Sequence, residues 1–135
     1  MKVRIASAEL GLAGGHLDYT DPSWLDIESA IQMLKVDAGR LDLFSDDEDD
    51  EQITTITVRS DSGLYLVEVF TPDVSKVLVD STTKDSAELI GMCDGECRRA
   101  LAVDSSDAVM KMLRFYLESG EFSESVPFYW SSARQ

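Results

Sequence analysis

Carboxylates hold most of the chemistry this chain could perform. Asp46, Asp47, Glu48, Asp49, Asp50 and Glu51 stand side by side, and a run this dense raises calcium first. Read as an EF-hand loop from Asp46, it places Glu48 and Asp50 at the third and fifth positions. Glu51 then stands where glycine is required and Thr57 where a bidentate glutamate is required, so the spacing fails. Glu68 interrupts the apolar run LYLVEVF, and an inward carboxylate with a raised pKa is what a small hydrolase would use. A glutamate on the solvated face of a sheet is the plainer reading. Cys93 and Cys97, in CDGEC, read as free thiols flanking a turn in a reducing cytosol; the alternatives are redox chemistry through a disulfide that closes a small loop, or a zinc site, which needs two further ligands that His16 alone cannot supply. His16 is the sole imidazole and has no serine or cysteine motif beside it, which leaves no triad. GLAGG is too short for a phosphate cradle and lacks its lysine. No catalytic residue, metal ligand or cofactor is assigned, and the expectation is a protein that is not an enzyme.

The same carboxylates matter more as charge. With 26 acidic against 12 basic side chains, the formal net charge is -14. Six adjacent acids repel one another and resist burial, so residues 46–51 read as an exposed loop casting a strong negative field. Polyanions such as nucleic acid and anionic membrane are disfavoured as direct ligands, whereas encounter with a cationic protein is accelerated. At 135 residues and 44% hydrophobic, the chain suits one domain, 1–135, with a real core. No stretch approaches the ~18 apolar residues of a membrane span, and the apolar part of MKVRIASAELGLAGG is short for a signal peptide, so a cytoplasmic protein is expected.

The elements that must position these groups follow from periodicity. Residues 1–20 read as a strand or ordered arm and then a loop, broken at Gly11, Gly14 and Gly15. A helix begins near Asp21 or Ser23, carries Trp24, Ile27, Ala30, Ile31 and Leu34 on one stripe, and stops at Gly39. Residues 40–44 form a short strand, Ile56 and Val58 mark a second, 60–63 a turn, and 64–70 a central return strand. VSKVLVD continues the meander, AELIGM is a brief apolar segment, and CRRALAV reads as a strand with Cys97, Arg99, Leu101 and Val103 on one side. The best-formed element is a second helix, capped by Asp104 or Ser105, striped by Val109, Met112, Leu113, Tyr116 and Leu117, and ended by Gly120. Val126, Phe128 and Trp130 alternate in a final strand that Pro127 places at an edge. The predicted fold is α+β: a mostly antiparallel sheet of five to six strands with two helices packed on one face.

A tryptophan-led helix (WLDIESAIQML), a meander of short polar turns, then VDSSDAVMKMLRFYLESGEF followed by SVPFYW resembles bacterial polymorphic-toxin immunity proteins, in particular immunity protein family 1. The residues that carry the resemblance are Tyr116, Leu117, Gly120, Val126 and Trp130. It implies a cytosolic antitoxin that forms a heterodimer with one cognate toxin domain, a nuclease or nucleic-acid deaminase with a basic cleft, and blocks it. The expected contacts are Asp46, Asp47, Glu48, Asp49, Asp50 and Glu51, together with Tyr129, which faces away from a core-directed Trp130. An acidic adaptor module with several weak partners is the alternative, and a carboxylate-dependent hydrolase around Glu68 is a third class.

Overall fold

A computed structural model describes residues 1–11, 14–36, 38–45, 53–92 and 95–132. Helix α1, Trp24–Val36, starts with a reciprocal capping box: the Ser23 amide donates to Asp26 Oδ2 at 2.9 Å, and the Asp26 amide donates to Ser23 Oγ at 3.2 Å. That geometry selects Ser23 over Asp21 as the cap. Ile27, Ala30, Ile31 and Leu34 are its buried stripe. In helix α2, Ser106–Ser119, Ser105 Oγ accepts from the Ala108 amide at 3.1 Å. Gly120 closes this helix in the left-handed conformation at φ 73°, where a side chain is unfavourable.

Seven strands form one antiparallel sheet. In chain order they are β1 Val3–Leu10, β2 Gly15–Thr20, β3 Gly39–Ser45, β4 Thr55–Asp61, β5 Leu64–Phe70, β6 Ser75–Asp80 and, after a two-stranded hairpin of β7 Leu89–Met92 and β8 Gly95–Arg98, β9 Phe128–Ser132. The spatial order is β2-β1-β3-β4-β5-β6-β9. The α+β architecture is the expected one, and the sheet is wider than five to six strands because the N-terminal segment folds back as the β1–β2 hairpin, where a loop was expected. Alternation sends Ala6, Ala8, Leu41, Leu43, Ile56, Val58, Val67, Val69 and Leu78 to one face, and both helices pack there in a common core with Trp130.

The opposite face is covered only in part. Leu66, Val77 and Val79 form a second cluster with Met92 and Ala102, beneath the β7–β8 hairpin and a 3₁₀ turn at Arg99–Leu101. CRRALAV is therefore not the single strand expected. Ala100, Ala102 and Val103 are all buried, which an alternating strand with Val103 opposite Ala102 would not permit, and the chain turns so that Arg99 Nη1 reaches the Ala102 carbonyl at 2.7 Å. Val103 then bridges to Tyr65 through two backbone hydrogen bonds of 2.8 and 2.9 Å.

Two further expectations need correction. Val126 does not join the core: it is 92% exposed, since it sits in a turn closed by reciprocal hydrogen bonds between Ser125 and Phe128, and only from Phe128 onward does the strand exist. Gly39 does not stop α1, which ends at Val36; it opens β3, buried against β1, at a point where a side chain would collide with the Glu9 carbonyl. Among the described residues no helix is long and apolar enough to cross a membrane.

Candidate functional site

The sheet face away from the helices presents chemistry in cross-strand rows. One row runs His16, Glu9, Arg40, Arg59 and Leu66, and the next runs Asp18, Ser7, Asp42, Thr57, Glu68 and Val77. Directly opposed residues on adjacent strands lie close enough to pair. Arg40 Nε donates to both carboxylate oxygens of Asp42 at 3.0 Å, and the buried Thr57 hydroxyl donates to Asp42 Oδ1 at 3.0 Å. Arg59 Nη2 pairs with Glu68 Oε1 at 3.3 Å. At the end of the rows, His16 Nε2 lies 2.9 Å from Asp18 Oδ2, and a cavity of about 490 Å³ opens between His16, Glu9, Arg40 and the hairpin glycines Gly14 and Gly15. Charges of both signs are matched locally on this face, and Glu68 is engaged by an arginine.

The predicted contact residues divide between the described chain and the rest. Asp46, Asp47, Glu48, Asp49, Asp50 and Glu51 lie outside the described residues. Their flanks are the strands expected, β3 and β4, and the ladder beneath them is closed twice: the Ser45 amide donates to the Thr54 carbonyl at 3.0 Å and the Thr54 amide donates to Ser45 Oγ at 2.8 Å. Tyr129 lies opposite Val79 and faces away from Trp130 as expected, but it is half-buried against the second cluster. Trp130 is buried in the main core, edge-on to Phe122 at 5.4 Å, and Phe122 stacks on Tyr116 at 4.7 Å. Burial raises the Tyr116 phenol above its usual range, opposed by a hydrogen bond with Thr54.

Cys93 lies outside the described residues, and Cys97 is a free, half-buried thiol on β8. Burial pushes the Cys97 thiol up; Arg59 opposes this, Glu68 reinforces it, and Arg99 opposes it. A thiol that resists ionisation is a poor nucleophile and metal ligand. In a Cys93→Ser variant, Cys97 is therefore expected to react with a disulfide reagent more slowly than free cysteine at neutral pH. Its rate should still be climbing with pH where free cysteine has levelled off, and a rate equal to that of free cysteine would show an activated thiol.

The sequence profile of a family of unknown function, DUF6911, matches residues 11–125. The chain belongs to that family. No curated protein and no solved structure matches it. The DUF6911 span takes in both helices, the acid run and every strand from β2 to β8, and so includes most of the charged rows of the open face. Of those rows, sequence reading singled out only Glu68 and His16. Arg40, Asp42, Thr57 and Arg59 were recoverable in kind, because RLDLF and TITVRS place them opposite the core-directed Leu41, Leu43, Ile56 and Val58. Arg40 and Asp42 pair along β3 itself, whereas the Thr57–Asp42 and Arg59–Glu68 contacts depend on register, which is set by the folded sheet.

Proposed function

We propose that this chain is an immunity-type inhibitor that binds one basic toxin domain, of the nuclease or nucleic-acid deaminase class, and blocks its substrate cleft. The net charge of -14 carries this reading. A domain that acts on nucleic acid must present cations to phosphate, and a strongly acidic protein competes for those cations while attracting the domain over long range. The acid run at 46–51 between two central strands is the proposed leading contact, since a sheet hairpin fixes where its ends stand. The resemblance in segment order to immunity proteins supports the same class. The Arg59–Glu68 pair supports a positioning role for Glu68 over general acid–base work. The test is whether the gene immediately upstream encodes a large secreted protein with a basic C-terminal domain, and whether that domain forms a one-to-one complex with this chain.

A further inference from the structure

The core stripe of α1 does not use all of its apolar residues. Leu25, Met33 and Val36 lie off that stripe and are 71%, 42% and 85% exposed. With Leu10, from the end of β1, they line a shallow groove of about 740 Å³ along the outer side of the helix. Large aliphatic side chains that cluster in water this way mark an interaction surface. Leu25, Ser29 and Met33 form an i, i+4 ridge that Val36 continues one turn on, and Ser29 leaves a low point between larger neighbours. That relief suits the ridge of a second helix.

We infer that this groove takes an amphipathic, basic helix of the partner protein, an inference that rests on the reading of a single cationic partner and supplies its apolar anchor. The occupant is chosen by charge. Glu28 forms part of the groove wall, and the chain's net charge of -14 attracts a cationic helix. A second copy of this chain would bring the same -14 to the interface and be repelled. The mode is helix-in-groove, with the partner's apolar residues at i, i+4 and i+7 spacing and its lysines or arginines on the flanks.

The test uses the full chain and three labelled helical peptides of equal length: one of lysine and leucine with leucine on one face, one of lysine and serine, and one of glutamate and leucine. The Lys/Leu peptide should bind, and Leu25→Glu with Val36→Glu should weaken it by about tenfold or more, since each tenfold needs only ~1.4 kcal/mol. Both positions are mostly exposed, so circular dichroism and the urea midpoint should not move; Leu25→Ser with Val36→Ser is the milder variant that repeats the comparison without added charge. The inference is overturned by Lys/Ser binding as tight as Lys/Leu, by double variants that bind Lys/Leu undiminished, or by wild-type dimers that the same variants dissociate, which would make a second copy the occupant. Lys/Leu binding that survives while no toxin complex forms would sink the immunity reading and leave the groove standing.

Discussion

Replacing Gly39 by alanine, one added methyl group, is expected to cost about 3 kcal/mol, the upper range for overpacking a tight interior, and with it a large share of the total stability. The backbone of Gly39 is buried where β3 passes β1 and pairs with Leu10 and Ser60. A Cβ there would overlap the Glu9 carbonyl oxygen and approach Leu34 Cδ2 to 2.9 Å. The leucine tip can rotate, but the carbonyl belongs to a strand bonded on both sides, so relief requires the β1–β3 ladder to part. Gly91 supplies the control, because a Cβ on β7 meets nothing within 4 Å. Gly91→Ala should stay within about 0.5 kcal/mol of wild type. Urea unfolding of the two variants decides the point: equal midpoints would mean that β1 and β3 do not approach as described.

Replacing all six acids of residues 46–51 by serine or asparagine changes the net charge from -14 to -8. Long-range attraction raises association rates by ~10 to 10³, so removing nearly half of the excess charge from one segment should slow capture of a basic domain by about tenfold or more at low salt. Dissociation should change less, and the dependence of the association rate on ionic strength should flatten. The fold should persist, since Ser45 and Thr54 close the ladder beneath the run without using it. Stopped-flow association over a range of salt is the measurement. An unchanged rate and slope would remove the run from the contact.

These two positions also show where the sequence speaks and where it falls silent. The helices were legible because each carries a stripe and a cap within a few residues, and the Ser23–Asp26 box is a local pattern realised locally. Strand β2 was not, since GHLDYT offers only Leu17 and Tyr19 to a core and lies at a sheet edge with one neighbour. The turn at Arg99–Leu101 was misread for a related reason: CRRALAV alternates like a strand, but its burial is decided by β5 and β6, which are distant in the chain. Gly39 looked like a helix stop because glycine often is one. Its actual constraint comes from Glu9, thirty residues earlier, and no local pattern reports such an approach.

The candidate site divides in the same way. The acid run needs no fold to be seen, because charge is additive along the sequence. The groove on α1 does need one: Leu25, Met33 and Val36 are apolar residues in an apolar-rich helix, and only the packed sheet shows that they face outward. The open-face ion pairs lie between these cases: alternation fixes their residue types, Arg40 and Asp42 pair along one strand, and the Arg59–Glu68 pair depends on the register of β4 and β5. An interface that joins a far-reaching charge to a local apolar anchor would tie its on-rate to residues 46–51 and its lifetime to α1.

The most direct trial of the central claim is to read the gene immediately upstream for a large secreted protein with a basic C-terminal domain, and to titrate this chain with that domain by calorimetry at low and at physiological salt. One-to-one binding that weakens as salt rises, with the domain's action on nucleic acid abolished at the equivalence point, is the predicted result. A domain that remains fully active with the chain in excess, or binding indifferent to salt, would contradict it.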